Sequence, residues 1–357
     1  PGRTTEAPPM RSRCALLALL LAAASTAISA AAAGPPQVGV RTLAVPAPER
    51  GSKPLTVTVW YPAAVGGEAA LVGDNRVFEG TPARRDAPFA AGRFPLVLVS
   101  HGSGGSIETL GWLAASLVEA GFVVAGPNHP GTTSGNSTPV DTTRMWERTA
   151  DLSAVLTALT EDPAWSEHLD AGRVGVLGFS LGGHTALSIV GARASREAYA
   201  RYCEDLPTMP DCVWFASGGV DLRAVDDRFE QSNRDPRIRA AVAIDPSVAQ
   251  AFVAESLRAI AVPVEIVNLG DAAAIPVAVA AAPIAAAIPA GRYERVADAV
   301  HMSFLAECQP GAKAFLAKVG ETDRLCDDGV SRTRADIHAE IAAKVVAAFR
   351  RDLGTGD

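Results

Sequence analysis

Short apolar runs alternate with longer amphipathic stretches along most of this chain, and the alternation predicts its elements. Residues 37–45 and 55–61 read as two opening strands; in the second, Leu55, Val57 and Val59 face one way and Thr56 and Thr58 the other. The Gly- and Pro-containing stretch 63–93 reads as surface loop. Residues 94–100 are apolar up to Ser100, as a strand covered on both faces must be, and a helix follows over about 107–120. Residues 122–125 predict the next strand, 142–160 a long helix and 173–179 another buried strand. Residues 238–244, 264–269 and 293–297 give three more strands, and Ile337, Ile341, Val345 and Phe349 form the apolar stripe of a closing helix. Strands alternating with helices imply an α/β fold, a mainly parallel sheet with right-handed crossovers and helices on both faces. In such sheets the chemistry collects at the carboxyl ends of the strands.

The first residues carry another pattern. Residues 1–9 read as lying ahead of a natural start at Met10, whose Arg11 and Arg13 precede the apolar run 15–24. Residues 10–33 therefore read as a secretory signal, removed at one of the small residues after Ser25, with a retained membrane helix over 15–33 as the alternative. Cys14 precedes the apolar run, so a lipoprotein anchor is not expected. No linker divides the remainder of the chain, and 37–352 is expected to be one domain with no stable membrane span.

Composition narrows the function. The net charge of −7, the absence of a basic tract and a 6% aromatic content argue against a nucleic-acid partner. Cys203, Cys212, Cys308 and Cys326 remain after signal removal; an even count in an exported chain favours disulfides, and the short separations favour Cys203 with Cys212 and Cys308 with Cys326. Neither spacing resembles a metal site, and neither metal nor cofactor is expected.

The stretch with the sharpest chemical meaning runs from Arg173 to Leu187. A strand-like run passes through Gly178, Ser180 and Gly182 into a small-residue helix, which is the context of a nucleophile elbow with Ser180 as nucleophile. The bare Gly-x-Ser-x-Gly pattern is weak, and its context carries the reading. His301, just past the last predicted strand, can reach Ser180 as general base. Donors for an oxyanion are expected from the amides of Leu181, which follows the nucleophile, and of Ser103, in the Gly-rich loop after the 94–100 strand. His101 is expected to anchor that loop, His129 to line the pocket, His184 to pack or cap, His338 to be structural and His168 to be solvated.

His101-Gly102-Ser103-Gly104-Gly105, Gly178-Phe179-Ser180-Leu181-Gly182-Gly183, Ala243-Ile244-Asp245-Pro246 and His301-Met302-Ser303-Phe304-Leu305, in that order, resemble the α/β-hydrolase superfamily. Within it the chain is similar to bacterial dienelactone-hydrolase-like proteins and platelet-activating-factor acetylhydrolases; Arg148-Thr149-Ala150-Asp151-Leu152, and Cys308 with Cys326-Asp327-Asp328, resemble the bacterial group. The resemblance covers about 37–350 and implies the α/β-hydrolase fold. True dienelactone hydrolases use a cysteine where this chain has Ser180. Two aspartates compete for the triad acid: Asp245, placed as in platelet-activating-factor acetylhydrolases and preferred, and Asp271, after the 264–269 strand where the superfamily more often carries it. Residues 194–235, with Tyr199, Tyr202, Trp214 and Phe215, form an insertion that serves either as a lid or as a stapled surface excursion. The expected protein is a secreted or periplasmic serine esterase forming an acyl-enzyme on a small-molecule ester. An amidase or peptidase on the same triad, or an inactive binding protein, stands as the alternative, with the oligomeric state open.

Overall fold

The computed structural model describes residues 1–6, 37–51 and 53–354; the expected signal at 10–33, with Cys14, lies outside them. Pro35–Asp357 forms one compact unit. Among the described residues ten strands make one sheet: β1 (Gln37–Val45), β2 (Leu55–Ala63), β3 (Glu68–Val72), β4 (Thr81–Arg85), β5 (Phe94–Ser100), β6 (Val123–Pro127), β7 (Leu169–Phe179), β8 (Ala240–Ile244), β9 (Val264–Leu269) and β10 (Gly291–Val296). Their order is β10-β9-β8-β7-β5-β6-β2-β1-β4-β3. From β6 through β10 every pairing is parallel, whereas β2 runs antiparallel to both β6 and β1. This is the α/β-hydrolase fold.

Each central strand serves two cores because its side chains alternate between faces. Leu96, Leu98, Val174, Val176 and Ile266 join the helix Met145–Glu161 and the elbow helix Leu181–Ile189 on one face. Val97, Val99, Leu177 and Val267 join the helices Gly111–Glu119 and Arg334–Leu353 on the other. The apolar stripe of Ile337, Ile341, Val345 and Phe349 is buried there without exposure.

The sequence reading differs at 63–93, where the chain forms the β3–β4 hairpin instead of loop. That hairpin lies at the sheet edge; of its strand residues only Ala83 is buried, and they include Pro82, so they carry neither the alternation nor the apolar run of a covered strand.

The insertion folds into helices Arg196–Asp205 and Pro210–Ser217, joined by a Cys203–Cys212 disulfide. The Tyr199 and Tyr202 hydroxyls donate to Asp211 at 2.9 and 3.2 Å. Its apolar residues form a separate core with Met145, Trp146, Leu181, Val248 and Val279, so it sits beside the start of the elbow helix.

A second disulfide, Cys308–Cys326, closes the excursion after the His301 segment. Asp298 holds the segment just beyond Cys326, its carboxylate accepting from the Val330 and Ser331 amides at 2.6 and 2.8 Å. Replacing Cys308 and Cys326 together by Ser is expected to lower the unfolding free energy by about 3 kcal/mol, the chain-entropy value for a loop of this length. Urea denaturation without reductant measures it; an unchanged midpoint would contradict the role given to this bridge.

Candidate active site

Ser180 stands between β7 and the elbow helix with φ 55° and ψ −118°, a strained conformation for a residue with a side chain. Backbone bonds hold it there: its N–H donates to the Ile244 carbonyl at 2.9 Å, and the Ser247 N–H donates to its carbonyl at 3.0 Å. The turn closes because two side chains are missing. A Cβ at Gly178 would lie 1.8 Å from the Gly182 carbonyl oxygen, and one at Gly182 would lie 1.8 Å from that of Ser100.

Asp245 follows β8, fully buried and with φ 42°. Its Oδ1 accepts from the Asn268 side-chain amide at 2.7 Å and from the Leu269 N–H at 2.9 Å. Its Oδ2 accepts from His301 Nδ1 at 2.9 Å. With Nδ1 as donor, His301 Nε2 is the acceptor for the Ser180 hydroxyl, 3.1 Å away. The imidazole packs on the Phe179 ring and remains 25% exposed, while the Asp245 side chain beside it is fully buried. Asp271 instead lies exposed on the loop after β9, and among the described residues no hydrogen bond joins its carboxylate to His301.

Leu181 opens the elbow helix, so its N–H has no intrahelical acceptor. Ser103 lies in the loop after β5, and its N–H has no acceptor among the described residues. The loop runs close to Ser180: a Cβ at Gly102 would lie 3.3 Å from Ser180 Cβ.

The remaining histidines brace this arrangement. His101 Nδ1 donates to the Gly102 carbonyl at 2.7 Å, and its Nε2 accepts the His129 N–H at 3.1 Å. His338 Nε2 reaches the carbonyls of Ser303 and Leu305, both at 3.0 Å, and thereby holds the segment that carries His301; burial, then Arg334, lowers it to about 4. His168 is half-buried, stacked on Phe89. His129, expected to line the pocket, is instead sealed inside, with Nδ1 against Asp151 at 2.8 Å and Nε2 against Ser100 Oγ at 3.0 Å. Burial, with the Arg148 charge added, pushes both His101 and His129 well below the usual imidazole range, so each is neutral. His101 anchors the loop as expected, whereas the joining of His129 with Arg148 and Asp151 was not expected, although it leaves a trace in the sequence. Arg148 and Asp151 interrupt the apolar stripe that continues as Leu152, Val155, Leu156 and Leu159 on one helix. Asn268, the one amide in the otherwise apolar end of β9, is the comparable trace of the group holding Asp245.

No family model and no curated protein matches the chain. Among solved structures it is similar to a ferulic acid esterase from Streptomyces cinnamoneus, at 21% identity and a TM-score of 0.57, over 91% of this chain and 92% of that one. A second match, from Bacteroides ovatus and described as a dipeptidyl aminopeptidase IV, is 12% identical with a TM-score of 0.48, over 89% of this chain and 36% of that longer one. The first likeness extends over nearly the whole of both chains and supports the fold assignment.

His184, one turn after Ser180, is buried and stacked on Phe252, with Nδ1 unpartnered. Desolvation, then the Arg148 charge, lowers it to about 3. The unfolded chain takes up this proton near pH 6.5, so acidification below about 6.5 favours unfolding, increasingly until pH approaches about 3. At pH 5 the effect is about 2 kcal/mol. The loss of stability between pH 7 and pH 5 is therefore expected to be about 2 kcal/mol smaller in His184→Leu. Urea titrations at the two pH values measure it, and an equal loss in variant and wild type would contradict the assignment.

Proposed function

We propose that this chain is a serine hydrolase that cleaves carboxylic esters through an acyl-enzyme. The observation that carries the reading is the continuous hydrogen-bond path from Ser180 Oγ through His301 to a buried Asp245. As Ser180 Oγ attacks the ester carbonyl carbon, its proton passes to His301 Nε2, and Asp245 stabilises the imidazolium through Nδ1. The amides of Leu181 and Ser103 hold the developing oxyanion. His301 then returns the proton to the departing alkoxide, leaving an acyl group on Ser180. Water, deprotonated by the same imidazole, releases the acid and restores the serine.

The insertion rests against Leu181 and would form one wall of the acyl site; the ester reading also accords with the structural neighbour from Streptomyces being a ferulic acid esterase. Export through the signal at 10–33 accords with two disulfides. Among the described residues no helix is long and apolar enough to cross a membrane.

Ser180→Ala is expected to lower turnover of a p-nitrophenyl ester about a millionfold while the melting temperature holds. Asp245→Asn should lose about 10,000-fold by stabilising the wrong imidazole tautomer, with Asp271→Asn near wild type. If Asp271→Asn were the crippled variant, the acid would be reassigned. A matched anilide, hydrolysed as fast as the ester, would move the reading to amidase. A chelator should leave ester turnover unchanged.

A further inference from the structure

Arg148 is a buried cation that acyl transfer does not consume. It is 1% exposed, and among the described residues no carboxylate forms an ion pair with it. A guanidinium so placed has to be held by oriented dipoles. Its Nε donates to Thr185 Oγ1 at 3.1 Å and one terminal nitrogen to Thr132 Oγ1 at 2.5 Å. The other donates to Ser100 Oγ at 3.0 Å and to the His101 carbonyl. These acceptors belong to the end of β5, the loop after β6 and the elbow helix, so one side chain joins three elements beneath Ser180.

Ser100 carries the contact further. With its oxygen accepting from Arg148, the hydroxyl donates to His129 Nε2, and His129 Nδ1–H donates to Asp151. Arg50 grips Asp151 with bonds of 2.9 and 2.7 Å and also reaches Glu147. A branch runs from the His129 N–H to His101 and from the His101 ring to the Gly102 carbonyl. Both paths end on residues 100–102, and Ser103 follows directly. Ser100, His129 and Asp151 have the bonding pattern of a catalytic triad but are sealed from solvent, with the serine oxygen engaged by Arg148.

We propose that Arg148, with Ser100, His129 and Asp151 behind it, is the positioning device of the oxyanion hole, locking residues 100–102 to the elbow helix so that the Ser103 and Leu181 amides keep their separation. The inference rests on the serine-hydrolase reading. Displaced donors matter once negative charge develops on the substrate, so the loss falls on kcat and leaves KM nearly intact. Lysine would keep the charge without the planar fork that reaches three elements.

The test counts active sites by titration with a fluorophosphonate, then measures kcat per titrated site and KM on a p-nitrophenyl ester. Wild type, Arg148→Met, Arg148→Lys, Ser100→Ala and Ser180→Ala are compared. Arg148→Met is expected to lose about 100-fold in kcat per site, with KM within about threefold of wild type. Arg148→Lys should stay nearer to Met than to wild type. Should Arg148→Met give no titratable sites because it does not fold, Ser100→Ala carries the same comparison, with an expected loss of about tenfold, at the low end for a hydrogen-bonding group acting on catalysis. Wild-type kcat per site in the folded variants, with fewer sites or a lower melting temperature, would make the cluster merely structural and overturn the proposal. Full activity in Ser180→Ala would overturn the reading of Ser180 as nucleophile and this inference with it, a result separable from the former.

Discussion

The Ser100 carbonyl occupies the place where a side chain at position 182 would have to be. That close approach of β5 to the start of the elbow helix sets the rest of the site. It presses the helix onto the sheet, holds Ser180 in its positive-φ turn and leaves Ser100–Gly102 running close to that residue. A Cβ at 182 would force β5 and the helix apart, and one at 178 would force β7 from the same helix, each by more than a packed interior can absorb. The same contact draws the Gly102–Ser103 loop and Ser180 from neighbouring strands, so their spacing is a property of the sheet.

Two buried acids do different work on either side of that contact. Asp245 is offset by an amide, a backbone N–H and the His301 ring, and its partner imidazole reaches open space at Ser180. Asp151 is gripped by Arg50 and touches an imidazole that meets a closed interior. Burial pushes the Asp151 carboxyl up against the pull of Arg50, and it lowers Arg148 to about 9, which leaves the guanidinium charged at neutral pH. The difference between these two serine–histidine–aspartate sets is exposure at the histidine: an open Nε2 can pass a proton to a substrate, and a sealed one can only hold structure.

How much of the fold could be read from the chain depended on how completely each element is covered. β5 and β7 lie between two helical layers, so their apolar runs announced themselves. The β3–β4 hairpin at the sheet edge has solvent on its side chains and carried no such signal. Ser180 and His301 could be singled out because strand-end motifs constrain their neighbours, and the preference for Asp245 over Asp271 came from its resemblance to the placement in platelet-activating-factor acetylhydrolases. The Arg148 cluster was not legible in the same way: its members come from β5, the loop after β6 and two helices, and sequence spacing says nothing about where four such segments meet. Its one local trace was a pair of opposite charges on an apolar helix face, which reads equally well as a surface ion pair.

The central claim is that Ser180 becomes covalently acylated during turnover. Mixing the enzyme with excess p-nitrophenyl acetate, quenching in acid within the first turnover and mapping the peptides by mass spectrometry tests it most directly. The account predicts one acetyl group per chain, on the peptide containing Ser180, which disappears as the substrate is exhausted. Turnover of the ester with Ser180 unmodified at every quench time, or with acetyl on another residue, would contradict it.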